Sequence, residues 1–181
     1  MSGDKASWVE GEVDRKGKSA MQLALGALSK GPKTRAEIER LLARRGVAGD
    51  EASECVERLG KSRLVDDALF ARLWVESRHR SRNLSRERMR DELEARGVCE
   101  EFIGQALALV GDEDERDAAR RVAARGLKRN RGADPVVARR RVAGMLMRRG
   151  YQAETVWSVL DECWSDAGGG ERSDDTGEWS G

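Results

Sequence analysis

Histidine is almost absent from this chain of 181 residues: His79 stands alone. Proline occurs twice, and aromatic residues make up only 4%. Each scarcity excludes something. A metal site needs several ligands, and a catalytic histidine needs a partner and a pocket. His79 instead sits in Ser77-Arg-His-Arg-Ser-Arg82, so we read it as an exposed residue of a cationic stretch, available at most to an anion. No Gly-rich loop runs into Lys-Ser or Lys-Thr, which leaves no phosphate cradle of the nucleotide-hydrolase type, and Gly168-Gly-Gly170 opens no helix. Carboxylates are many but read as helix-surface residues, which does not suggest an acid/base pair. No apolar run approaches the roughly 20 residues of a membrane span, and no signal-like apolar segment opens the sequence. Of three cysteines, Cys55 and Cys163 fall on periodic apolar faces and read as buried thiols of a reducing compartment. Cys99 follows a helix stop and should be exposed. The expectation is a cytoplasmic, non-enzymatic protein without cofactor, metal or membrane contact.

What the chain does have is helix-forming composition and a repeat. Ala, Arg, Leu and Glu abound, charged residues reach 37%, and no period-2 strand run stands out. Three segments, Ile38–Val47, Met89–Val98 and Val142–Tyr151, share an apolar-spaced helix followed by Arg, Gly and an apolar residue. Their glycines, Gly46, Gly97 and Gly150, lie 51 and 53 residues apart. The match continues beyond each glycine: Ala52, Ile103 and Val156 correspond, as do Cys55, Ala106 and Val159, then Val56, Leu107 and Leu160, then Leu59, Val110 and Cys163. One apolar helical face is therefore written three times. Gly suits a helix stop because it takes left-handed backbone angles cheaply, and the preceding Arg faces the negative end of the helix dipole. Periods of this size signal tandem supersecondary units.

The pattern predicts an all-α protein, an elongated array of three tandem three-helix repeats. Repeat 1 spans residues 19–63, repeat 2 spans 64–111 and repeat 3 spans 112–165. Residues 1–18 and the acidic segment 166–181 read as disordered tails by composition. Capping signals mark the helix starts: Ser19 with Gln22, Thr34 with Glu37, Asp66 or Asp67, Ser85, and Asp134 ahead of Pro135. Trp157, at helical spacing with Leu160 and Trp164, reads as core. Trp8 and Trp179 lie in the tails, as passive residues or short docking anchors.

A net charge of +1 conceals strong segregation. Arg72 to Arg90 holds seven arginines against two acids, and Arg116 to Arg149 holds twelve basic residues against two. Asp91 to Glu115 between them holds nine acids and one arginine. Such blocks suit a polyanionic or charged protein partner; the plainer alternative is a set of solvated helix faces.

Leu64-Val-Asp-Asp-Ala-Leu-Phe-Ala-Arg72, then Trp74-Val75 and Ser77-Arg78, then Met89–Val98, resemble the core of the RecX family of recombinase regulators. The run Val142–Leu160, with Arg148-Arg-Gly-Tyr151, resembles that family's C-terminal repeat. The likeness covers about residues 20–164. It departs at Ser81-Arg-Asn-Leu84, where the family commonly has Gly with a basic residue and then a Gly- or Ser-Pro turn. The resemblance implies a monomer that inhibits the RecA recombinase by binding in the groove of the RecA filament on single-stranded DNA. Growth of the filament, strand exchange, ATP hydrolysis and co-protease activity would all be limited. The alternatives are a sequence-independent DNA-binding helical module acting without RecA, and a protein scaffold with solvated charges. For the partner surface, helical spacing and charge density single out Arg82, Arg86 and Arg90 with Arg125, Lys128 and Arg129.

Overall fold

The computed structural model describes residues 18–166. Among them are nine helices and no strand: α1 (Ala20–Leu28), α2 (Arg35–Arg44), α3 (Gly49–Lys61), α4 (Asp67–Arg82), α5 (Arg86–Arg96), α6 (Glu100–Leu107), α7 (Asp112–Arg129), α8 (Pro135–Met147) and α9 (Ala153–Asp166). The tails expected to be disordered lie outside the described residues, apart from Lys18 and Asp166.

The helix starts follow the capping chemistry. Ser19 and Thr34 each close a capping box, with Gln22 and with Glu37. Asp66 accepts from the Leu69 amide at 2.8 Å, Ser85 from the Arg88 amide at 3.1 Å, and Asp134 caps α8 with Pro135 in its first turn. Asp67 plays a different part and accepts from the Arg35 amide at 2.9 Å, tying α4 to the start of α2.

The three helix stops are the same device. Gly46, Gly97 and Gly150 have φ of 80°, 81° and 88°. The residue after each donates its amide to the carbonyl five residues back: Val47 to Leu42, Val98 to Leu93 and Tyr151 to Leu146. This is the Schellman arrangement. Two of the glycines carry a second constraint. A Cβ on Gly97 would stand 2.5 Å from the Cβ of Ala36, and one on Gly150 would stand 2.5 Å from Ser85 Oγ and 2.6 Å from the Cβ of Arg88. Thr34 Oγ1 donates to the Arg96 carbonyl at 2.8 Å, and the Ser85 amide donates to the Arg149 carbonyl at 3.0 Å. The glycine turn of one repeat thus seats on the cap and first turn of the second helix of the preceding repeat. Gly46, in the first of the three repeats, meets nothing within 4 Å among the described residues.

The chain condenses into two compact units rather than one per repeat. The first runs through Trp74 and adds Glu92–Ala106; the second holds Val75–Asp91 and the chain from Leu107 onward. The division passes through α4 and α5. In the first unit Leu23, Ile38, Leu42, Val56 and Leu59 form the centre of the core. Arg96 lies with its guanidinium carbon 4.0 Å from the Trp74 ring centre and pairs with Glu37, while Trp74 Nε1 donates to Glu92 at 3.1 Å. In the second unit Val122, Val142, Leu146, Val156, Val159 and Leu160 are buried together. Trp157 does not join them; it is 44% exposed. The inward stripe of α9 is Val156, Val159 and Leu160, and one residue's rotation of about 100° carries Trp157 off that stripe. Cys55 is buried, and burial pushes its thiol above the usual range; Cys163 is only half-buried and Cys99 is exposed.

Candidate functional site

Whether an arginine can serve a partner depends on what already holds it. Arg86 is committed. Its Nε donates to Glu115 at 2.7 Å, its Nη2 pairs with Asp112, and its backbone amide donates to Glu115 at 2.8 Å. These bonds hold its guanidinium pKa above the ordinary value. Arg116 and Arg120 share Glu162, and Arg120 also reaches Glu113 and Asp117, each at 2.7 Å. Arg139 pairs with Asp161 and lies over the Trp164 ring. Part of the sequence's basic surplus in repeat 3 is therefore neutralised inside the unit.

A different group makes no ion pair among the described residues. Arg82, Arg125, Arg129 and Arg149 line a groove of about 380 Å³ in the second unit, with Ser81, Asn83 and Met145. Arg149 donates through Nε to the Arg82 carbonyl at 3.2 Å and through Nη1 to the Met145 carbonyl at 3.1 Å. Arg125 Nε donates to the Arg121 carbonyl at 3.1 Å. Neutral carbonyl acceptors fix these two guanidiniums in place and leave their positive charge unopposed, which suits an anion. Asn83 anchors the groove wall. It sits at φ 48°, a left-handed position that Asn tolerates better than other side-chain-bearing residues. Its Oδ1 accepts from Arg121 Nε at 3.0 Å, and its carbonyl accepts from the Tyr151 hydroxyl at 2.9 Å. Burial pushes that hydroxyl above the usual phenol range, so it remains a donor. Asn83 thus holds a left-handed turn conformation of the kind that Gly adopts at least cost.

Of the six arginines and lysines singled out by sequence, the structure brings Arg82, Arg125 and Arg129 to one groove. Lys128 lines a separate groove of about 560 Å³ with Arg131, Pro135 and Trp164. Arg90 is half-buried on α5 and already engaged. Arg125 and Arg129, one turn apart on α7, both line the groove with Arg82, whereas the spacing that groups Arg86 with Arg90 and Arg121 with Arg125 cannot show that Arg149 and Asn83 complete it, since those contacts join distant parts of the chain. His79 is not the exposed residue that its neighbours suggest. It is half-buried, and its Nδ1 is buried without a hydrogen-bond partner. Among the described residues no cluster of three or more His, Cys, Asp or Glu could hold a metal ion, and no helix is long and apolar enough to cross a membrane.

Comparison with known proteins supplies the context for this groove. Family profiles match three consecutive stretches: the first three-helix domain of RecX over residues 20–59, the second over 66–107 and the third over 112–160. The regulatory protein RecX of Thermobifida fusca is 36% identical over 143 residues, covering 79% of this chain and 77% of that protein. That of Streptomyces coelicolor is 34% identical over 149 residues, covering 82% and 79%. That of Mycolicibacterium vanbaalenii is 37% identical over 156 residues, covering 82% and 84%. In fold, the chain is similar to the crystal structure of RecX from Lactobacillus salivarius, with a TM-score of 0.69 over 80% of this chain and 94% of that one at 19% identity. With all three domains matched in order and relatives above 30% identity over most of its length, the chain belongs to the RecX family.

Proposed function

We propose that this chain is a non-enzymatic, cytoplasmic inhibitor of the RecA recombinase. It acts as a monomer that binds in the groove of the RecA filament on single-stranded DNA. It limits filament growth and with it strand exchange, ATP hydrolysis and co-protease activity. Family membership supports the regulatory role. The observation that carries the contact is the groove of Arg82, Arg125, Arg129 and Arg149, in which Arg125 and Arg149 are aimed by neutral carbonyls. Such a surface meets phosphates or acidic side chains without reading base sequence.

The test compares binding to bare single-stranded DNA, to RecA alone and to the assembled filament. The filament should be bound much the most tightly. Equal affinity for DNA with and without RecA would instead identify a DNA-binding module and overturn the regulator reading. In the same assay, Arg125→Glu with Arg129→Glu should weaken filament binding and relieve inhibition of RecA ATP hydrolysis. Any direct phosphate contact adds salt dependence, with log affinity falling by about 0.7 per contact for each unit of log salt. The double variant should show a shallower slope. Undiminished inhibition by the folded variant would remove this groove from the contact.

A further inference from the structure

The seating of glycine turns on helix caps leaves one acceptor open. The first turn of α2 receives the Gly97 turn, and that of α5 receives the Gly150 turn. The first turn of α8 receives none among the described residues: Val136 is 71% exposed and Val137 41%. Beside it lies the groove of about 560 Å³ whose floor includes Leu127, Pro135 and Ala138 and whose rim carries Lys128 and Arg131. Among the described residues no acid lines this groove, and neither Lys128 nor Arg131 makes a salt bridge with any of them. Trp164, near the end of α9, forms part of its wall, so the chain leaves the last helix at the groove's edge.

Beyond α9 the chain continues through residues 167–181, with Glu171, Asp174, Asp175 and Glu178 against Arg172 alone, three consecutive glycines, and Trp179. We propose that this acidic segment docks intramolecularly in the groove between α7, α8 and α9. Trp179 covers the apolar floor beside Val136 and Val137, and the acids face Lys128 and Arg131. The charges are complementary. Trp179 lies thirteen residues beyond Asp166, and at about 3.3 Å per residue that stretch spans far more than one small groove. The docked segment thereby competes with any external polyanion for the C-terminal end of α7. The inference does not depend on the recombinase reading, because its first test needs no partner.

That test records the backbone amide spectrum of the full chain as it stands, as Trp179→Ala, and as Asp174→Asn with Asp175→Asn and Glu178→Gln. Amides of Leu127, Asn130 and Ala133 should shift in both variants, while those of Ile38 and Leu42 stay fixed. Groove amides that do not move in Trp179→Ala would overturn the proposal. So would shifts that appear only as protein concentration rises, since the occupant would then be the segment of a second copy. The second test measures affinity for a short oligothymidylate. A tethered segment at millimolar effective concentration, with a dissociation constant of a few hundred micromolar, weakens a competitor by roughly three- to tenfold. Both variants should recover that factor, and Lys128→Glu with Arg131→Glu should abolish the difference between native and variant tails. Unchanged oligothymidylate affinity in Trp179→Ala would overturn the competition.

Discussion

Gly46, Gly97 and Gly150 look alike in sequence and in backbone angle, yet they should respond differently to alanine. A left-handed non-glycine residue costs on the order of 1–2 kcal/mol. Gly46→Ala, with open space around its Cβ, should lose about that much. Gly97→Ala and Gly150→Ala must also displace Ala36 or Ser85 and Arg88, and crowding of this kind adds about 1–3 kcal/mol. Urea denaturation of the three variants measures the difference; equal losses would show that the turns are not seated as described. Two carboxylates should give opposite pH responses. Burial raises the Asp67 pKa, against the lowering effect of the Arg35 amide, so its penalty is present at neutral pH and disappears as pH falls below the ordinary Asp range near 4. Asp67→Asn keeps the acceptor oxygen and should be at least as stable as wild type near neutrality, the gap narrowing on acidification. Arg116 and Arg120 lower the Glu162 pKa, so its stabilisation is present above the ordinary Glu range near 4.3 and is lost below it. Glu162→Gln should therefore be less stable at neutral pH and approach wild type in acid. Melting curves of the three proteins between about pH 7 and pH 3 check both signs.

Among the helices, the apolar stripes repeated after each glycine are buried in α3, α6 and α9, apart from half-buried Cys163 and with Val110 just past the end of α6, which is why periodicity alone located them. Leu93 and Leu146 are fully buried, and replacing either with Ala should cost about 2–5 kcal/mol. Trp157→Ala should change stability by no more than about 0.5 kcal/mol, as a solvent-facing residue does. Calorimetry on these three variants separates the stripe from its neighbour. The charge blocks were legible too, but their meaning was not. In α7 the acids Asp112, Glu113, Asp114 and Glu115 fill the first turn, and Lys128 and Arg129 fill the last. That order complements the helix dipole, so part of the segregation has a local cause. Arg86 meets Glu115 across 29 residues and Arg116 meets Glu162 across 46. No helical spacing reveals such pairs, and they decide which basic residues remain available.

For the whole molecule, the sequence reading of three tandem helical repeats agrees with the fold, because each repeat writes its own caps, stripe and stop. The interleaving of two compact units was not readable, since it arises from contacts such as Thr34 with Arg96, 62 residues apart. Those contacts also set a schedule for biosynthesis. The cap of α2 emerges from the ribosome well before the Gly97 turn that seats on it. At roughly 5–20 residues per second, the missing piece arrives about 3–12 seconds later. The cap of α5 waits a similar time for the Gly150 turn. A nascent chain therefore always displays one unfinished docking surface, and each newly synthesised repeat closes the one before it.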